Sequence, residues 1–297
     1  MTRLAPDWRN YCVYSGRHLP DADLSDEHVI PKSLGGYRST VIRASRRLNS
    51  MFATTIDAPI ARDSMVQFGR RDTNARGHSG RKPIARIHGA AAWRTGQPWG
   101  QWDDRYTLEV PKGGVLRVYD QKAGKHVPHL SGSGFVVPEW KIDHPARLRF
   151  TVKTLLGIGW KHFGCDFLTA VDLDLLRWVL TADFRSTTDS RERTTADVPG
   201  EGKLIYVDPF LVPSEQREIH PLTKIESALV RKDQTTILMR ELDEVLEWSV
   251  ACLGYLVGCV RVHLRDPLIG GDVRPRGGIR LVVRRDRLQS ELVEPID

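Results

Sequence analysis

The segment 26–36 brings together an acid, a histidine and a lysine, and it reads Asp-Glu-His-Val-Ile-Pro-Lys-Ser-Leu-Gly-Gly. Its carboxylate at Glu27 suits a hard divalent cation, because such cations prefer oxygen ligands. The neighbouring His28 can take a proton from water near neutral pH, since an unperturbed imidazole has a pKa of about 6.5. A metal ion opposite a general base activates water and stabilises the leaving oxygen in phosphodiester hydrolysis. The segment is therefore a candidate phosphodiesterase site.

The residues around this segment have the pattern of two strands joined by a glycine-rich loop. Residues 24–30 favour a strand, residues 31–36 a loop, and residues 40–43 a second strand. Gly35 and Gly36 would let the loop turn back where side chains would collide. The two strands form the first part of a predicted β-β-α unit.

A helix is predicted to follow the second strand. Ser45 is a suitable cap, because its hydroxyl can accept a hydrogen bond from a free amide of the first turn. Leu48, Phe52 and Ile56 recur every four residues and would therefore face one core. Pro59 is expected to break this helix.

Positive charge is concentrated in the first third of the chain. The whole chain of 297 residues has a formal net charge of +7. Residues 1–100 hold sixteen Lys and Arg against eight Asp and Glu, whereas the remainder holds twenty-eight against twenty-nine. The positive excess thus lies in the part that carries the acid and the histidine, which indicates a polyanionic partner. A solvated basic surface without a partner is the alternative.

Residues 69–86 are predicted to form a flexible basic loop, because they combine glycines and charges with little hydrophobicity. Loops of this kind become ordered on phosphates. The basic side chains of this loop are Arg70, Arg71, Arg76, His78, Arg81, Lys82 and Arg86. A linker with solubilising charge is the alternative.

The later part of the chain has the pattern of a mixed α and β domain. Residues 106–110 and 115–119 alternate and predict a hairpin, while residues 145–160 and 172–181 have helical apolar stripes. These stripes predict core contacts, not a cofactor site. Further strands are predicted at residues 204–207, 235–239, 248–252, 260–264 and 279–283, with a loop that begins at residue 271.

Composition narrows the class of protein. The chain has no apolar run of eighteen residues and no apolar stretch near its first residue, so we expect neither a membrane span nor a signal peptide. Its four cysteines are too few for a disulfide scaffold, although Cys252 and Cys259 could lie close in space. We therefore expect a cytoplasmic protein with reduced thiols.

The ordered motifs resemble the HNH endonucleases of the ββα-metal fold. The resemblance is to the branch that reads Glu-His-Val-Ile-Pro-Lys-x-Leu-Gly-Gly, then a cysteine pair followed by Asn, then Ile-Asp-Ala-Pro. Here these pieces are residues 27–36, Asn49 and residues 56–60. The resemblance covers about residues 10–85 and implies metal-dependent cleavage of DNA.

Carried over to this chain, the resemblance makes His28 the general base and Glu27 and Asn49 the ligands of one divalent cation, Mg²⁺ or Mn²⁺. Asp26 is a structural neighbour or an alternative ligand. The residues predicted to hold flanking phosphates are Lys32, Arg46, Arg47, Arg70, Arg71, Arg76, Arg81 and Lys82.

The chain departs from this family at the cysteines. Family members hold the motif with a zinc ion between two Cys-x-x-Cys pairs, but here the pairs read Cys12-Val-Tyr-Ser15 and Ser45-Arg-Arg-Leu48. Serine and leucine do not replace a thiolate, so we expect no structural zinc. Tyr14, Leu48 and Phe52 are the expected packing replacements.

We therefore expect an α+β protein with an HNH nuclease domain in residues 1–100 and a mixed α/β second domain of unknown role in residues 101–297. The expected function is DNA hydrolysis, with restriction or defence against invading DNA implied by the resemblance. A two-fold dimer would let such an enzyme cut both strands. A nucleic-acid-binding module without activity and a toxin that cuts RNA are the alternatives, since the sequence does not separate DNA from RNA.

Overall fold

The computed structural model describes residues 8–92, 106–113, 116–127, 136–137, 142–182, 204–207, 229–268 and 278–293. The predicted boundary near residue 100 and most of the loop predicted from residue 271 lie outside these ranges. Within them the chain combines helices with antiparallel sheets, which confirms the α+β class. No helix among the described residues is long and apolar enough to cross a membrane.

The amino-terminal part follows the predicted order of strand, loop, strand and helix. Its elements are β1 (Tyr11–Cys12), β2 (Arg17–His18), β3 (Leu24–His28), β4 (Val41–Ser45), α1 (Arg46–Phe52), a π-helical turn (Ala53–Asp57), α2 (Ala58–Arg62) and α3 (Ser64–Thr73). Strands β3 and β4 pair antiparallel, with His28 opposite Val41. Helix α1 follows β4 directly.

The start of α1 matches the sequence prediction, but its end does not. The Ser45 hydroxyl accepts a hydrogen bond from the Leu48 amide and caps the helix. Phe52 and Ile56 are buried as predicted. The break predicted at Pro59 is wrong, because the chain stays helical through the π-helical turn into α2. Pro59 lies in the first turn of α2, where its missing N–H has little cost.

The predicted basic loop is shorter than residues 69–86. Residues 69–73 belong to α3, and Ala85 and Arg86 begin the next strand, so the loop covers residues 74–84. The helix forms because Asp63 caps its first amides and because Val66 and Gly69 are buried on one side. Gly69 packs so closely on Leu253 that tertiary contact favours helix over a solvated loop.

The remaining strands form two antiparallel sheets. The first has the order β8-β7-β6-β5-β9 and the second the order β10-β13-β12-β11-β14-β15. The strands of the first are β5 (Ala85–Ala92), β6 (Tyr106–Val110), β7 (Arg117–Asp120), β8 (Lys125–Val127) and β9 (Val136–Val137). Those of the second are β10 (Leu204–Val207), β11 (Thr236–Leu242), β12 (Val245–Cys252), β13 (Tyr255–His263), β14 (Ile279–Val283) and β15 (Leu288–Leu292). The predicted strands are present, whereas β5, β8, β9 and β15 were not predicted.

Three helices, α4 (His144–Phe163), α5 (Cys165–Ala170) and α6 (Leu173–Thr181), pack beside the six-stranded sheet. Two of them were predicted, and α5 was not. Helix α4 is buried on nearly all sides, because it lies between the amino-terminal part and this sheet. One apolar core joins Phe52 and Ile56 to Leu156 of α4 and to Trp248 and Val260 of the sheet. The described residues of the two predicted domains therefore share a core.

Candidate active site

His28 lies at the edge of an open cavity of about 1690 Å³. The cavity is formed by the loop after β3, the turn after α3, and the turns at the ends of β11 and β14. Its charged lining residues are Asp26, Lys32, Arg38, Arg76, Asp233, Arg284, Arg285 and Asp286. Cations thus outnumber carboxylates five to three around His28, and the cavity favours an anionic ligand.

The glycine pair gives the loop after β3 its shape. Gly35 has φ of 81°, a left-handed conformation that side chains rarely adopt. A Cβ atom on Gly36 would collide with the carbonyl oxygen of Ile30. The chain therefore folds back on itself after a short 3₁₀ turn at Lys32–Leu34, which places Lys32 beside His28 in the cavity wall. This role of the two glycines was predicted.

Two hydrogen bonds fix this loop against the carboxy-terminal sheet. The hydroxyl of Thr235 donates to the Leu34 carbonyl at 2.5 Å, and the hydroxyl of Ser39 donates to the Arg284 carbonyl. They bring Arg284 and Arg285 to the cavity that contains His28. Sequence reasoning missed both arginines and Arg38. The adjacent arginine pair was visible in the sequence, but only the fold shows that it lies near residue 28.

The environment of His28 favours the neutral imidazole. Partial burial lowers the pKa of His28, and electrostatic repulsion by Lys32 and by His78 lowers it further, while Asp26 acts in the opposite direction. A neutral imidazole at pH 7 can accept a proton. The predicted base therefore lines a cavity with an excess of cations, and its surroundings lower its pKa.

A second histidine lies across from the first. The rings of His28 and His78 have centroids 6.5 Å apart and are nearly perpendicular, at 87°. His78 belongs to the loop 74–84 and is exposed. In the sequence His78 is only one charge of the predicted basic loop, because nothing in the local pattern links it to residue 28.

Glu27 points away from this cavity. Successive side chains of a strand face opposite sides, so Glu27 enters the core while His28 faces the cavity. Its Oε1 lies 2.6 Å from Nζ of Lys153, and Lys153 also donates to both carboxylate oxygens of Asp57 at 2.8 Å. Burial opposes the charge on Lys153, but Asp57 and Glu27 together raise its pKa. Burial also raises the pKa of each carboxyl.

The side chains predicted to bind a divalent cation, Glu27 and Asn49, both contact other groups of the protein. An ammonium already lies against the carboxylate of Glu27, where a metal ion would have to bind. The amide nitrogen of Asn49 donates to the Ser25 hydroxyl and to the Asp26 carbonyl, both at 3.1 Å, so Asn49 ties α1 to β3. The described residues contain no group of three or more His, Cys, Asp or Glu side chains that could hold a metal ion.

The predicted phosphate-binding residues are only partly brought together. Lys32 and Arg76 line the cavity, whereas Arg46 and Arg47 are exposed on α1 and do not. Arg70 is half-buried and donates to the Ala61 carbonyl at 2.7 Å. Arg71 pairs with Asp72 at 2.6 Å and lies over the Phe68 ring. Arg81 and Lys82 are exposed on the loop 74–84, and neither lines the cavity.

Around residues 12–15 and 45–48, the positions of the cysteine pairs in the resembled family, hydrophobic side chains pack together. Tyr14 and Phe52 are buried and meet edge to face, with centroids 5.2 Å apart, as expected from their proposed packing role. Leu48 is half-buried against the same core. The Sγ atom of Cys12 accepts a hydrogen bond from the Ser45 amide at 3.2 Å, which joins these two positions.

No family model, curated protein or solved structure matches this chain. The functional assignment therefore depends on the geometry of the cavity and on the motif resemblance described above.

Proposed function

We propose that the protein is a nuclease that binds a nucleic-acid backbone in the cavity and uses His28 as its general base. The proposal is supported above all by the position of the His28 imidazole beside Lys32, in the wall of a cavity with an excess of cations. A phosphodiester is an anion that such a cavity favours, and its cleavage requires proton removal from the attacking hydroxyl.

The cations of the cavity suit backbone contacts. Lys32 and Arg76 come from the amino-terminal part, and Arg284 and Arg285 come from the turn after β14. Two groups of cations in one cavity can contact successive phosphates, which positions the strand without reading its bases. The open shape of the cavity admits a polymer.

The proposal omits the divalent cation that the motif resemblance implies. Glu27 is buried against Lys153 on the other face of β3, so it offers no carboxylate to a phosphate in the cavity. The proposed chemistry therefore uses proton transfer at His28 and charge stabilisation by Lys32 and the arginines.

A nucleic-acid-binding module without activity is the second candidate. The buried Glu27–Lys153 pair favours it, because the carboxylate expected to support catalysis is engaged elsewhere. Both candidates use the same cavity and the same cations, but only the nuclease requires His28 for product formation.

The test is incubation of the wild-type protein and His28→Ala with supercoiled plasmid and with single-stranded RNA, in Mg²⁺, Mn²⁺ or EDTA. His263→Ala is the matched control, because His263 is exposed on β13 and does not line the cavity. We expect cleavage by wild type and His263→Ala, and its loss in His28→Ala with binding retained. Binding without cleavage by wild type would support the second candidate, and neither binding nor cleavage would contradict both.

A further inference from the structure

We infer that the substrate is RNA and that the histidines His28 and His78 cleave it without a metal ion, as base and acid. The inference rests on the proposed nuclease function and narrows it to one substrate class. It follows from the buried ammonium at Glu27, from the position of His28 in the cavity wall, and from the ring of His78, whose centroid lies 6.5 Å from that of His28.

The buried ammonium of Lys153 occupies the core side of Glu27. Lys153 has no exposed side-chain surface, and the side chain of Glu27 is only 3% exposed. A metal ion bound by Glu27 would lie on the core face of β3, beside this buried ammonium, whose charge would repel it. A phosphate in the cavity lies on the opposite face, beside His28. The fold thus separates the family's metal position from the bound backbone.

DNA and RNA cleavage differ in the source of the nucleophile. DNA hydrolysis needs an activated water molecule, a role that a metal ion commonly supports. RNA carries its own nucleophile, the 2′-hydroxyl next to the phosphate, so a base alone can start the reaction. In this protein His28 lies at a basic cavity, whereas Glu27, the expected metal ligand, lies against Lys153. This arrangement suits RNA, because RNA supplies its own nucleophile.

The imidazole rings of His28 and His78 are close enough to contact the same phosphate. A phosphate can lie between two imidazoles if each ring nitrogen contacts one oxygen at about 2.8 Å. Ring centroids 6.5 Å apart leave room for such a bridge. Lys32 lies beside His28 in the wall, and Arg76 lies two residues before His78, so both can contact the non-bridging oxygens. His28 takes the role of base because it is the more buried ring.

The reaction conserves atoms and charge. The 2′-hydroxyl gives its proton to His28 while O2′ forms a bond to phosphorus. The P–O5′ bond breaks, and protonated His78 gives its proton to the leaving O5′. The products are a 2′,3′-cyclic phosphate end and a 5′-hydroxyl end. Exchange with water returns the two histidines to their starting states.

The experiment uses a DNA oligonucleotide with one internal ribonucleotide and the matched all-DNA strand, each incubated once in EDTA and once in Mg²⁺. We expect cleavage only after the ribonucleotide, with a cyclic phosphate in the product mass. His28→Ala and His78→Ala should each reduce the rate by about 100-fold or more, whereas His263→Ala should not. Circular dichroism and binding of the all-DNA strand show that each variant is folded.

The outcomes separate this inference from the proposed function. Metal-dependent cleavage of the all-DNA strand would overturn the RNA assignment and leave the nuclease proposal in place. Full activity of His78→Ala would overturn the acid role and with it this mechanism. Binding of both strands without cleavage, with or without metal ions, would overturn the inference and the nuclease proposal together.

Discussion

The ammonium of Lys153 lies 2.6 Å from a carboxylate oxygen of Glu27, and both side chains are buried. This pair, together with Asp57, joins the amino-terminal β-β-α unit to α4 through charge inside the core. It also limits what Glu27 can do, because one of its oxygens lies against a buried ammonium on the core face of β3.

Replacing Lys153 with methionine should strongly destabilise the protein. The change leaves Glu27 and Asp57 buried without their cation, and breaking such a buried pair costs about 3–5 kcal/mol. Urea denaturation measures the loss. Lys161→Met is the control on the same helix, since Lys161 makes one hydrogen bond to the Val41 carbonyl and should cost about 1 kcal/mol. Equal losses in the two variants would contradict the assigned role of Lys153.

Breaking a second buried ion pair, between Asp63 and Arg147, should reduce the unfolding free energy by a similar amount. Asp63 accepts from Arg147 with both oxygens, at 2.8 and 2.9 Å, and both side chains are fully buried. Asp63→Asn should therefore lower the unfolding free energy by about 3–5 kcal/mol. Asp143→Ala, which removes only the cap of α4, should cost about 1 kcal/mol. Thermal or urea unfolding compares the two, and a smaller loss at Asp63 would show that Arg147 finds another partner.

Binding of nucleic acid should depend on Arg285 and not on Arg47. Arg285 lines the cavity that contains His28, whereas Arg47 is exposed on α1 outside it. Removing one phosphate contact should reduce the slope of log affinity against log salt by about 0.7–0.9. Fluorescence anisotropy with single-stranded oligonucleotides at several salt concentrations measures this slope. A reduced slope for Arg47→Ala would indicate that the strand follows α1 instead.

The imidazole of His28 should titrate below the ordinary value of about 6.5, because burial and the cation Lys32 both lower its pKa. Lys32→Gln should raise this pKa, and Asp26→Asn should lower it further, since Asp26 attracts the proton. NMR titration of the histidine ring signals, with His28→Ala for assignment, gives the value. A titration at or above 6.5 in the wild type would contradict the described environment.

One of the four thiols should react in the native protein. Cys165 is exposed, while Cys12, Cys252 and Cys259 are buried. Burial raises the pKa of both Cys252 and Cys259 to about 12, so at pH 8 only about one in ten thousand of these thiols is ionised. Ellman's reagent should modify one thiol in buffer and four in guanidinium. Cys165→Ser should abolish the native reaction, and residual fast labelling would show that a buried thiol opens.

The spacing of Cys252 and Cys259 in the sequence does not predict whether the two thiols lie close together in the fold. Cys252 and Cys259 are seven residues apart and could have been neighbours, yet they belong to two different core clusters. The turn between β12 and β13 and the bulge in this hairpin determine which side of the sheet each thiol faces. The sequence carries no signal for that bulge.

By itself the sequence determined the features that local chemistry controls. The residue pattern of the two strands and the glycine pair between them were enough to predict β3, β4 and the loop that joins them. Ser45, a residue type that commonly caps helices, marked the start of α1. The apolar stripe of α4 was also readable, because helical periodicity depends on neighbouring residues alone.

Only the tertiary structure decided which groups meet. It buried Glu27 against Lys153, placed Arg284 and Arg285 near His28, and set His78 opposite His28. These contacts join elements that are distant in the chain, and their existence depends on how the helices and sheets pack around α4. Local pattern contains no information on that packing, so the sequence identified His28 but not the surroundings that define its chemistry.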